Sequence, residues 1–283
     1  MARNLKPRSS NLPFAIFNPI AMHTAAKIIK YELHDVVRSK WVAFYGVFFL
    51  LLTEGLLRFG GGEAKALLSL VNVVLMLIPL VGVLFGAMYL YNAREFIEML
   101  LAQPVDRRSL FSGMYLGLAL PLALGFVVGV GVPFAVRGGA GAAGSALALL
   151  LALGVGLTFI FVALAFLLAL GFEDRVKGLG AAVLVWLGFT VLYDGGVLLF
   201  LSLFADYPLE TPVLALMLFN PVDLARVALL MSFDVAALMG YTGALFQRFF
   251  GGALGPIVAA GMLLLWLAVP LWAGLRRFQQ KDF

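Results

Sequence analysis

The sequence predicts an all-α membrane protein: six transmembrane helices, an N-terminal interfacial helix before them, and both termini cytoplasmic. Three observations predict it. Of the 283 residues, 63% are hydrophobic and only 12% are charged, about half the charged share of a soluble domain, so lipid must solvate much of the surface. Six apolar stretches, 41–57, 68–91, 110–136, 144–171, 179–204 and 256–275, reach or approach the roughly 20 residues that cross a bilayer core. The basic residues also segregate. With the N-terminus inside, Arg3, Lys6, Arg8, Lys27, Lys30, Arg38, Lys40, Arg94, Arg107, Arg108, Arg175, Lys177, Arg276, Arg277 and Lys281 fall on the cytoplasmic side, which is 15 of the 20. Arg58, Lys65, Arg137, Arg226 and Arg248 fall outside. That bias supports both termini inside and, with them, an even number of spans.

Residues 1–40 form a cytoplasmic N-terminal segment, and residues 41–283 the six-helix domain. The first residues mix Arg3, Lys6 and Arg8 with Pro7, Ser9, Ser10 and Pro13; without an apolar core, no cleaved signal is expected. Over 22–40, Ile28, Ile29, Leu33, Val36 and Val37 recur at helical spacing among Lys27, Lys30, Glu32, Asp35 and Arg38. This is an amphipathic helix lying in the interface and leading to Trp41, a pattern also met in plain surface anchors. The first span is short and holds Glu54, with Arg58 one turn later to pair with it. The third and fourth spans are long enough to tilt or kink, and Pro121 and Pro133 can kink the third.

The inner loop 92–109 starts with charge, runs through an apolar helix from Phe96 to Leu101, breaks at Pro104 and restarts after Arg107 and Arg108. It reads equally as a projecting helix that docks a soluble partner and as a connection resting at the interface. The second inner loop, Phe172–Gly178, carries Glu173, Asp174, Arg175 and Lys177 and reads as a solvated connection. Asp194 stands well inside the fifth span. A carboxylate there costs on the order of 2.5–3.5 kcal/mol to insert, so it marks either a transport pathway or gate, or a structural hydrogen bond. Segment 205–255 is apolar in parts but contains Asn220-Pro221-Val222-Asp223 followed by Arg226. Asn220 is an N-cap, Pro221 a first helical residue and Asp223 a first-turn acid. A helix therefore starts there, and the segment reads as short helices on the outer surface, lying on or dipping into the membrane.

Several chemistries are excluded or disfavoured. With no cysteine there is no disulfide, thiolate metal site or cysteine nucleophile. The two histidines, His23 and His34, cannot complete a His/Cys metal cage alone. No G-x-x-x-x-G-K-[ST] occurs, so the chain is no P-loop ATPase; Gly60–Gly62 and Gly138–Gly144 read as turns. The ten methionines are scattered, and only Met217, Met231 and Met239 are candidates for soft-metal contact. The pairs Gly82–Gly86, Gly113–Gly117 and Gly125–Gly129 permit close helix packing.

The string E-M-L-L-A-Q-P-V-D-R, from Glu98 to Arg107, followed by Gly113, is similar to the coupling-helix signature of the ABC type-two exporter permeases. Glu95 and Phe96 stand where that family has Gly-Thr, and Met114 replaces its lysine; the core L-L-x-x-P-x-x-R is kept. The strings N-P-V-D-L-A-R, F-D-V-A-A-L-M-G-Y-T-G-A (Phe233–Ala244) and the terminal R-R-F-Q-Q-K-D-F resemble the NosY type, the permeases of the copper-processing system that matures nitrous-oxide reductase. The resemblance covers about the whole chain. It implies a bacterial inner-membrane permease acting as a homodimer, with a second copy of itself. Two NosF-like cytoplasmic ABC ATPases would bind ATP and Mg, and a NosD-like β-helical accessory protein would sit in the periplasm. The cargo implied is a sulfur or copper species.

On this resemblance Glu95, Glu98, Leu100, Leu101, Pro104, Arg107 and Arg108 form the ATPase-coupling set, Asp194 is the pathway candidate, and Asn220, Pro221, Asp223 and Arg226 would meet the periplasmic partner. No metal site, cofactor or catalytic residue is expected in the chain, and no nucleic-acid partner. Alternatives remain: a general type-two exporter permease for another substrate, a membrane assembly factor without transport, or a membrane enzyme. An enzyme would need convergent polar groups in the spans, where only Asp194 and Glu54 stand.

Overall fold

The computed structural model describes residues 40–103, 105–137, 144–204, 210–232 and 254–281. The expected N-terminal helix, Pro104, Met239 and Arg248 lie outside them. The described residues are helical almost throughout, and six helices are long and apolar enough to cross a membrane.

α1 (Lys40–Phe59) ends at a tight turn where Gly61 and Gly62 take φ of 76° and 121°, conformations open to glycine and strained for other residues. α2 (Glu63–Asn92) runs back with Pro79 inside it. α3 (Arg94–Leu101) is a short amphipathic helix. α4 (Arg107–Val136) follows, its first turn capped by Asp106, whose Oδ2 accepts from the Ser109 backbone N–H at 3.1 Å. Pro121 and Pro133 both lie within it, and the helix is continuous through them. α5 (Gly144–Gly171) carries no charge. The fifth span is α6 (Arg175–Leu187), a π-helical turn over Gly188–Leu192, and α7 (Tyr193–Leu203). Asp174 caps α6 by accepting from the Val176 and Lys177 N–H groups. Two short helices, α8 (Glu210–Leu218) and α9 (Pro221–Ser232), precede the last span, α10 (Leu254–Gln280).

α5 is the axis of the bundle. It packs on α2, α4, α6, α9 and α10, and its four consecutive residues Ile160–Ala163 are all buried, which requires neighbours on every face. Close approach depends on glycine. A Cβ at Gly86 would lie 2.5 Å from the Ala165 Cβ of α5, and one at Gly129 only 2.7 Å from the Gly46 carbonyl oxygen of α1. The expected small-residue pairs 82–86 and 125–129 thus sit at the α2–α5 and α1–α4 contacts. The first and sixth spans are peripheral, and the fifth has no buried residue beyond Ala182. Aromatic rings fill the core where α4, α5 and α10 converge, Phe111 lying 5.8 Å from Phe166 and 5.5 Å from Phe278.

Candidate functional site

Polar groups concentrate in two places. The first is the hairpin made by α8 and α9. Asn220 caps α9 as its sequence demands, its Oδ1 accepting from the Val222 N–H at 2.9 Å. The hairpin does not lie flat on an outer surface. Asn220 Nδ2 donates to the Phe189 carbonyl at 2.8 Å, and Trp266 Nε1 donates to the Leu218 carbonyl at 3.2 Å. Phe189 is halfway along the fifth span and Trp266 halfway along the sixth. The turn between α8 and α9 therefore reaches the middle of the bundle, and α9 packs on α2, α5, α10 and the π-helical turn.

This depth explains an ion cluster. Arg226 Nη1 donates to Asp194 Oδ2 at 2.7 Å and to Asp223 Oδ1 at 2.9 Å, while Asp223 Oδ2 accepts from Asn220 Nδ2 at 2.8 Å. Tyr193, beside Asp194, donates its hydroxyl to the Leu216 carbonyl. One cation is shared by two carboxylates, and every polar head is answered, as a low-dielectric site requires. The structural partner of Asp194 is thus Arg226. Asn220, Pro221 and Asp223, expected to meet a periplasmic protein, are buried and belong to the interior. The cluster is not sealed: the side chains of Asp194 and Arg226 keep 39% and 31% of their exposure. A cavity of about 320 Å³ opens next to it, between Tyr193, Gly196, Phe200 and Leu216.

The second place is the end of the bundle that carries α3. Here the ends of α2, α5 and α10 meet the starts of α4 and α6. Arg107 turns inward and caps α10: its Nη1 lies 2.9 Å from the Gln279 carbonyl and 2.8 Å from that of Lys281. Lys281 Nζ in turn donates to the Leu170 carbonyl at the end of α5. Burial at this junction, with the nearby Arg94 charge adding to it, lowers the Lys281 pKa. Tyr91 reaches the Phe172 carbonyl and occupies the space that a side chain at Gly178 would need.

On α3, Ile97 is fully buried and Leu100 and Leu101 are half-buried, anchoring the helix. The opposite face presents Glu95, Phe96, Glu98 and Met99 to the outside. Arg108 is exposed at the first turn of α4. The structure thus splits the expected coupling set: Glu95 and Glu98 face out with two apolar neighbours, Arg107 is committed to the tail, and Leu100 and Leu101 hold the helix down.

Glu54, at the opposite end, bonds Arg58 at 2.7 Å as expected, and also Arg137 at 2.5 Å, which joins α1 to α4 and raises the Arg137 pKa. Among the described residues no three His, Asp or Glu side chains gather where a metal ion could sit.

The sequence marks Asp194 and Arg226 separately and does not join them. The usable signal was two lone opposite charges in otherwise apolar surroundings, with Asp223 and Arg226 three apart on one helix face. The tail cap by Arg107 left no local signal.

Residues 26–283 match the ABC-2 family transporter protein family. The protein named "Probable ABC transporter permease protein NosY" of Pseudomonas aeruginosa is 29% identical over 270 residues, covering 87% of this chain and 92% of that one. Its namesake in Stutzerimonas stutzeri is 26% identical over 273 residues, covering 90% and 95%. The chain belongs to the ABC-2 transporter family.

Proposed function

We propose, starting from that family membership, that the chain is the NosY-like permease subunit of a bacterial inner-membrane ABC transporter. It works as a homodimer and performs no catalysis itself. Two cytoplasmic ATPases bind ATP and Mg and hydrolyse it. The likeness to the two NosY proteins supports delivery of a sulfur or copper species for nitrous-oxide reductase maturation, with a periplasmic accessory protein receiving it.

The observation that carries the reading is the outward face of α3. Glu95, Glu98, Phe96 and Met99 give two negative charges around an apolar centre, on a helix anchored to the bundle by Ile97. That composition suits a protein groove with basic rims. The excess of arginine and lysine at this end supports placing it in the cytoplasm.

The half-exposed Asp194–Arg226 pair supports the dimer. A charge pair facing lipid within a span is costly; a second copy packed on the fifth span would cover it, and would place it on the axis along which cargo moves. The hairpin turn hangs from the fifth and sixth spans, so rocking of those spans would move it. To shift such a two-state element from 1:99 to 99:1, ATP must favour one state by roughly 5.5 kcal/mol.

The test is co-purification from detergent with a co-expressed NosF-like ABC ATPase, with hydrolysis measured with and without the permease. A two-plus-two complex with altered hydrolysis is expected, lost in the variant Glu95→Lys/Glu98→Lys. A monomeric chain that binds no ATPase would refute the coupling role.

A further inference from the structure

The first turns of α4 and the last turns of α10 leave between them an open cleft of about 320 Å³. One wall runs from Arg108 through Phe111 and Tyr115 to Leu116, about two turns deeper along α4. The other is formed by Leu271 and Leu275 of α10. The deep part is apolar. Its polar groups are already engaged: Ser112 donates to the Arg108 and Ser109 carbonyls, the Ser109 hydroxyl bonds Asp106, and the Tyr115 hydroxyl bonds the Phe159 carbonyl.

The mouth differs. Arg108 is exposed there, and its guanidinium makes no hydrogen bond or ion pair among the described residues. The neighbouring carboxylate, Asp106, is held by the cap of α4. Next to the α10 wall, the Arg276 guanidinium stacks 3.7 Å over the exposed Trp272 ring. An exposed tryptophan with a stacked arginine near the end of a span marks the headgroup level. The cleft therefore begins at headgroup depth with free positive charge and continues into the hydrocarbon as an apolar slot.

We propose that this cleft binds one anionic phospholipid, its headgroup phosphate on Arg108 and an acyl chain against Phe111, Tyr115, Leu116, Leu271 and Leu275. Basic pockets between spanning helices select anionic headgroups, and a guanidinium matches a phosphate through paired, charge-assisted hydrogen bonds. The site borders the Arg107–α10 cap, so an occupied cleft braces the junction between α4 and the last span. The proposal does not depend on which cargo is carried or on whether an ATPase binds.

The experiment is native mass spectrometry of the full chain in detergent, titrated with phosphatidylglycerol, with phosphatidylcholine and with inorganic phosphate. One phosphatidylglycerol should be retained in preference to phosphatidylcholine, and inorganic phosphate should not displace it. Arg108→Gln should weaken retention about tenfold, as the loss of a charged hydrogen bond implies. Leu271→Trp, which fills the slot and keeps the charge, should do the same. Both variants are checked for folding by gel filtration. Equal retention of the two lipids, displacement by inorganic phosphate, or unchanged retention in both variants would each overturn the assignment.

Discussion

Replacing Arg226 by methionine tests the hairpin directly. The substitution keeps an unbranched apolar stem, though a shorter one, and removes the one cation that Asp194 and Asp223 share, at 2.7 and 2.9 Å. At an effective dielectric of about 20, one such contact at 4 Å is worth about 4 kcal/mol of raw attraction. Desolvation of the three charges offsets much of that in the wild type, so the net worth of the cluster is small. Truncation is different. It leaves two neighbouring carboxylates without a cation, one of them on the buried Asp223. Breaking a buried pair in this way costs about 3–5 kcal/mol. Partial exposure of Asp194 places the expected loss near the lower end, about 3 kcal/mol.

The assay is equilibrium unfolding in mixed micelles. The companion variant Asp194→Leu/Asp223→Leu/Arg226→Met removes every charge together, and Asn220 keeps its bond to the Phe189 carbonyl. It should recover most of the lost stability, because an apolar replacement of a whole ion cluster is neutral or better. If Arg226→Met costs under about 1 kcal/mol, or if the triple variant is no more stable than the single one, the cluster does not hold the turn at mid-depth and the reasoning fails.

Arg107→Ala should uncap α10 and cost about 2 kcal/mol, with faster proteolysis of the C-terminal tail as the readout; an unchanged tail would show that the cap is unimportant. Gly86→Leu should destabilise by about 1–3 kcal/mol, since even its Cβ would press on Ala165 at 2.5 Å. Gly195→Ala, where nothing stands within 4 Å, should leave thermal unfolding of the isolated chain unchanged. Phe96→Ala/Met99→Ala should abolish ATPase co-purification without changing thermal unfolding, because both side chains are exposed and support no packing.

The number of spans was legible in the sequence because apolar length is a local property. The expected stretches 41–57 and 144–171 appear as Lys40–Phe59 and Gly144–Gly171, and the third and fifth start a few residues early where Asp106 and Asp174 cap them. The start of α9 at Pro221 was equally local, written in Asn220-Pro221-Val222-Asp223. The helix over Phe96–Leu101 was local as well, but Leu100 and Leu101, expected in the coupling set, are half-buried against the bundle, which spacing did not tell.

What the sequence could not determine is which distant groups meet. Asp194 and Arg226 are 32 residues apart, and Arg107 and the Lys281 carbonyl 174 apart. Their pairing depends on the depth to which the α8–α9 hairpin sinks and on the register of α4 against α10. Glu54 shows the same division: its bond to Arg58 follows from helical spacing, while its bond to Arg137 needs α1 and α4 packed through Gly46 and Gly129. Hydrophobic length chooses the helices, because lipid acts on each segment separately. Side-chain packing between helices chooses their neighbours, and only then does an isolated charge acquire the partner that makes its burial tolerable.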